Sequence, residues 1–275
     1  MTAEPIGPTR YADVNSVLHR LLSSAKSILE GSFVGMYLYG SLALCDFAPN
    51  SSDIDFVIVT ADRLPEEQFR ALQAMHTSIA AGASKWATEL DGSYIPQDAV
   101  RRYDPEYTLH PHIDRGSGRL SIEPHDSDWV INRYVLREHG VVVAGPASRS
   151  LIDLVPAGAL RCAVREVLHG WWVPMLDDPS RLQDPGYRCY AVLTMCRTLY
   201  TLRTGTVVSK PVAARWAQEE LDERWHPLIE QAIAWPGDAP PISLNETLGL
   251  IRCTSEHAQP SRVPASPLSE GSLAL

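Results

Sequence analysis

Gly40-Ser41 follows an apolar run, and eleven residues later Asp53-Ile54-Asp55 opens a second one. A strand sends successive side chains to opposite faces, so Asp53 and Asp55 share a face about 7 Å apart. Ile54, Phe56 and Ile58 then point the other way, into a core. Two carboxylates on one face repel each other unless a cation sits between them. Oxygen ligands in this number suit Mg2+, which completes its shell with waters and substrate phosphates. Gly40 lets the backbone approach a ligand closely. Ser41 offers a hydroxyl and an N–H at the start of a short helix, where phosphate oxygens bind. Ser52, beside Asp53, is a further candidate contact. These pieces describe a metal-phosphate site, with Asp53 and Asp55 on the metal and Gly40 and Ser41 on a triphosphate.

The elements that must position these groups follow from periodicity. Residues 11–30 carry apolar side chains at helical spacing. Met36–Tyr39 and Asp53–Thr60 read as strands, and Pro49-Asn50-Ser51-Ser52 as a turn between them. Leu64–Ala81 is predicted to be a helix and Leu90–Ile95 a third strand stopped by Pro96. Residues 97–128, rich in Asp, His, Arg, Pro and Gly, read as a long connection. Asp128–His139 is a predicted helix, followed by the apolar run Val141–Ala144. Beyond residue 150 the strand signal ends, and Ala157–Trp172, Tyr187–Thr204, Lys210–Leu221, Trp225–Trp235 and Ser243–His257 all read as helices. The expected architecture is an α/β (α+β) domain with a mixed sheet over residues 1–150, a helical bundle over 151–257, and a flexible tail over 258–275.

YGSLALCDFAPNSSDIDFVIV resembles the signature of the DNA polymerase β-like nucleotidyltransferase superfamily. It is most similar to the aminoglycoside adenylyltransferase branch, the streptomycin/spectinomycin 3''-type enzymes with a helical C-terminal domain. The resemblance implies that a hydroxyl attacks the α-phosphate of a nucleoside triphosphate held by two Mg2+ ions, and that pyrophosphate leaves. It also implies a third carboxylate opening a neighbouring strand, acting as general base and as a further metal ligand. In ELDGSYIP that residue is Asp91, and Glu89 is the alternative two residues away. LTMCRTLYTLRTGTVVSKPVAARWA, residues 193–217, resembles the C-terminal motif of the same branch. Arg197 and Lys210 fall at its spacing and imply contacts to the nucleotide phosphates. The acceptor segment departs from the pattern: QDPGYRCY carries Tyr187 and Tyr190 where the streptomycin-modifying enzymes have acids, with Asp184 the nearby carboxylate. Trp129, Trp171, Trp172 and Asp177 are candidates to line a pocket.

The bulk composition limits the other classes. The chain has 275 residues and a formal net charge of −9, which disfavours a nucleic-acid partner. Its five cysteines form no CxxC pair, which argues against a disulfide framework and a thiolate zinc site. Cys189 and Cys196 read as core. No segment reaches the length and apolarity of a membrane span, and MTAEPIGPTR has no signal-like core, so a cytoplasmic, soluble protein is expected. His110, His112 and His125, with Asp114 and Asp126, are expected in a polar loop without metal-ligand spacing. The resulting expectation is an adenylyltransferase that uses Mg2+ and ATP on a small hydroxyl acceptor, with no nucleic acid or membrane partner. The alternatives are a non-catalytic or regulatory nucleotide-binding member of the fold, or an adenylyltransferase acting on a natural product or a protein.

Overall fold

The computed structural model describes residues 7–235 and 241–259. Helix α1 (Ala12–Leu29) buries Val14, Val17, Leu18, Leu21, Ala25 and Leu29 along one stripe, as the 3.6-residue period requires. It leads into β1 (Phe33–Leu38), the single turn α2 (Gly40–Ala43) and β2 (Ile54–Thr60). Then come α3 (Glu66–Ala80), β3 (Leu90–Pro96) and the short α4 (Gln97–Arg101). Strands β4 (Leu109–Ile113) and β5 (Leu120–Pro124) precede α5 (Asp128–His139), β6 (Val141–Ala144) and α6 (Ser148–Leu151).

Among the described residues, six strands form one mixed sheet in the order β5-β4-β3-β2-β1-β6. Only β2 and β3 run parallel, with Asp55 opposite Asp91; the other four pairings are antiparallel. One face of the sheet packs Met36, Leu38, Ile54, Phe56 and Ile58 against α1 and α3. The other packs Tyr37, Tyr39, Val57, Val59 and Ile95 against Trp129, Val135 and Leu136 of α5. Burying about 25 cal/mol per Å2 of apolar surface on both faces makes the sheet a rigid platform.

The helical half contains α7 (Ala157–Val167), α8 (Pro185–Thr204), α9 (Lys210–Glu220), α10 (His226–Ala234) and α11 (Leu244–Ala258). Helix α7 gives way to a π-helical turn over Leu168–Trp172, where a continuous helix is predicted from the sequence. Helix α8 is the central element, capped at its start by the Asp184 carboxylate and ended by Gly205 in the left-handed region. Cys189 and Cys196 are buried in the core of this half, as their spacing predicts. Leu160 and Val207 pack into the α5 side of the sheet, so the two halves share apolar contacts. Among the described residues, no helix is long and apolar enough to cross a membrane.

One expectation fails in the sheet. Residues 97–128 are not a plain connection; they hold α4 and the β4–β5 hairpin. The predicted tail is largely outside the described residues, and Ala258 closes α11.

Candidate active site

The chain leaves β1 through Tyr39, whose N–H donates to the Asp55 carbonyl at 3.1 Å. Gly40 then adopts φ +56. A Cβ at this position would overlap the Asp55 carboxylate. Only glycine permits both the left-handed backbone and this close approach. The Ser41 hydroxyl is buried and has no hydrogen-bond partner. A buried hydroxyl without a partner is unfavourable unless a ligand satisfies it.

Asp53 sits just ahead of β2, Asp55 is its second residue, and Asp91 is its neighbour across the β2–β3 pairing. Burial, reinforced by the charges of Asp53 and then Asp91, pushes the Asp55 carboxyl up to about 8, against the opposing pull of Lys210 and the Ser41 N–H. Burial likewise raises Asp91; His112 and the Arg115 N–H, 3.4 Å from its Oδ2, oppose the rise, while Asp53 adds to it. With all its carboxyls ionised, the cluster would carry more negative charge than its protein surroundings offset, a charge that a divalent cation could neutralise. Glu89 forms an ion pair with Arg115, and its carbonyl accepts from the Ile54 N–H at 2.7 Å. Asp91, not Glu89, is thus the carboxylate brought beside Asp55.

Lys210, the first residue of α9, reaches the cluster from the helical half. Burial and the neighbouring Arg197 lower its pKa, while Asp53, Asp55 and Asp46 pull it back up. Its Nζ lies 4.6 Å from the centre of the Tyr190 ring. Asp46 is a residue that sequence reasoning missed. Its carboxyl is raised by burial and lowered by the Lys210 charge and backbone N–H, so it joins the turn after α2 to the start of α9. The only sequence signal was an acid in an otherwise apolar stretch. Ser52 is placed differently from a phosphate contact: its Oγ accepts from the Ala48 N–H at 3.0 Å and closes the turn before Asp53.

The histidines are not in a polar loop. His110 and His112 lie on β4, and His125 follows β5; His110 and His125 are buried. Ser93, the second residue after Asp91, holds His112 Nδ1 at 2.7 Å and His125 Nε2 at 2.9 Å. His112 Nε2 faces Asp91 and Asp114. Their alternation at 110 and 112 was a strand signal in the sequence, masked by Pro111.

On the acceptor side, Asp184 is occupied as the cap of α8, accepting from the Tyr187 N–H at 2.7 Å. Trp172, Tyr187 and Tyr190 form an aromatic cluster with centroids 5.7–5.9 Å apart. Trp129 and Trp172 are buried packing residues rather than pocket walls, whereas Trp171 is 42% exposed and donates to the Tyr187 hydroxyl at 3.0 Å.

Residues 150–238 match the family described as aminoglycoside adenylyltransferase, C-terminal domain. The chain is 31% identical over 229 residues to the aminoglycoside (3'')(9) adenylyltransferase of Shigella flexneri, covering 80% of this chain and 84% of that protein. It is 26% identical over 236 residues to the spectinomycin 9-adenylyltransferase of Campylobacter jejuni, covering 78% and 82%. The fold is similar to a crystal structure of the spectinomycin adenyltransferase AAD(9) from Enterococcus faecialis with ATP and spectinomycin. The TM-score is 0.70 at 17% identity, over 88% of this chain and 98% of that one.

Proposed function

This chain belongs to the aminoglycoside (3'')(9) adenylyltransferase family, and on that premise we propose that it transfers AMP from ATP to a hydroxyl of a small, aminoglycoside-like acceptor. The observation that carries the reading is the half-buried trio Asp53, Asp55 and Asp91, with Gly40 and Ser41 on one side and Lys210 on the other. The excess negative charge of the ionised cluster and the partnerless Ser41 hydroxyl fit a divalent cation with a phosphate chain.

Asp53 and Asp55 would hold Mg2+, with Asp91 as the third carboxylate at its edge. Bound there, Mg2+ would neutralise charge developing on the phosphate oxygens during transfer. Gly40 leaves room for the phosphates, and Ser41 donates to them. Lys210 and Arg197 draw the triphosphate against the helical half and stabilise the departing pyrophosphate. Asp91 accepts the proton of the attacking acceptor hydroxyl, because its environment disfavours the charged form and so favours proton uptake.

The acceptor enters beside Tyr187, Tyr190 and Trp171. These aromatic faces suit the C–H faces of a ring, while the absence of free acids on this segment suits an acceptor with few charges. Spectinomycin, which one structural relative binds, is the first acceptor to try.

Calorimetric titration of ATP with Mg2+ tests the nucleotide site. The wild-type chain should bind with measurable heat and Asp53→Asn/Asp55→Asn should not. Equal heats for the two proteins would remove the metal-site reading.

A further inference from the structure

We propose that Asp91, His112 and Asp114 form a binding site for one transition-series divalent cation of the Zn2+ class, beside the Asp53–Asp55 pair and sharing Asp91 with its edge. Three observations carry this. First, the donor atoms converge: one ligand atom from each residue lies within 4.8 Å of the others. His112 Nε2 stands 3.6 Å from Asp91 Oδ1 and 3.3 Å from Asp114 Oδ1. The first separation is too long for a hydrogen bond and the second is a weak one. Both match the ligand–ligand edges of a tetrahedral ion with bonds of about 2.0–2.1 Å, which are about 3.4 Å.

Second, the imidazole is already aimed. Ser93, fully buried on β3, holds His112 Nδ1 at 2.7 Å and is itself held by His125 Nε2 at 2.9 Å. A metal-bound histidine characteristically has its second ring nitrogen fixed in this way. Because β3 pairs with β4, with Ser93 opposite His112, the sheet register supplies both ligand and support.

Third, the neighbouring Arg115 side chain is turned away. The Arg115 guanidinium pairs with Glu89 and reaches the Ser51 carbonyl, so only its backbone N–H approaches Asp91. The Asp114 side chain stays 63% exposed, which leaves the ion an entry path and open positions for water.

The donor set decides the metal class. One imidazole nitrogen with two carboxylates suits Zn2+ or a neighbouring transition ion, whereas Mg2+ prefers oxygen throughout. The chain therefore has two adjacent cation sites of different chemistry that share Asp91, and Zn2+ bound there occupies the carboxylate that otherwise takes the acceptor's proton.

The test is a calorimetric titration of the full chain with Zn2+ in excess Mg2+. It reads no turnover, so its outcome is independent of the AMP-transfer reading. The wild-type protein should take up one Zn2+ per chain. His112→Ala and Asp114→Asn should each bind it at least tenfold more weakly, and Asp55→Asn should bind it as the wild type does. Asp114→Asn alters an exposed side chain, so it keeps the test valid even if His112→Ala fails to fold. Wild-type Zn2+ affinity in Asp114→Asn, loss of binding in Asp55→Asn alone, or no Zn2+ uptake by the wild type would each overturn the proposal.

Discussion

Two residues carry the sharpest physical demands. Gly40 holds a left-handed backbone against the Asp55 carboxylate, so Gly40→Ala adds strain and a clash at once. Its expected effect is a loss of about 100-fold or more in AMP transfer, measured as pyrophosphate release, from displacement of the reacting groups by roughly 1 Å. Asp55 makes a second demand through its proton. Its pKa rises from 3.8 to about 8 on folding, so the folded state binds the proton more tightly. Without divalent cation, the Asp55 contribution to stability should therefore be full near pH 4 and be lost as the pH rises towards 8, while the buried His76, His110 and His125, whose pKa values are lowered, work in the opposite sense below about pH 6.5. Asp55→Asn removes that dependence. In EDTA at pH 8 it should melt at least about 3 °C above wild type, and at pH 4 no higher than wild type. A parallel pair of melting curves over pH 4–8 for the two proteins checks this. These residues were legible in the sequence because their types are so unusual at a strand mouth. Asp46 was not, since its role depends on Lys210, which lies far away in the chain.

At the scale of elements, the β2–β3 pairing sets the spacing of the carboxylates. Gly92 stands opposite Phe56, and a Cβ there would overlap the Phe56 backbone and ring. Gly92→Ala should push the two strands apart, destabilising the chain by about 1–3 kcal/mol, as overpacking does. Activity should fall further than stability, because Asp55 and Asp91 separate with their strands. Chemical denaturation beside pyrophosphate release measures both quantities. The three strands around the site were readable because β-branched and apolar runs end at Gly-Ser, Asp-Ile-Asp and Leu-Asp. The β4–β5 hairpin was not. Pro111 and the polar histidines break the usual strand composition, and the partners of His112 and His125, namely Ser93 and Trp129, lie on other elements. Similarly, the α7 periodicity runs on past Val167, and nothing local marks the π-helical turn over Leu168–Trp172.

For the whole molecule, the central feature is that the helical half sends Lys210 to carboxylates on the sheet. Lys210→Ala should weaken Mg2+–ATP binding about 10–100-fold, the loss of one charge-assisted hydrogen bond, while the far-UV circular dichroism stays unchanged. Both halves were visible in sequence as a change from alternating strands and helices to helices alone. Their meeting point was visible only through the family resemblance at Arg197 and Lys210, because no local pattern encodes a contact over so many residues. The most direct test of the account is mass spectrometry of spectinomycin and of streptomycin after incubation with the protein, ATP and Mg2+. The account predicts that at least one gains the mass of a single AMP group with the wild-type chain and neither does with Asp55→Asn. Unchanged masses for both drugs with a folded wild-type chain, or equal modification by Asp55→Asn, would contradict it.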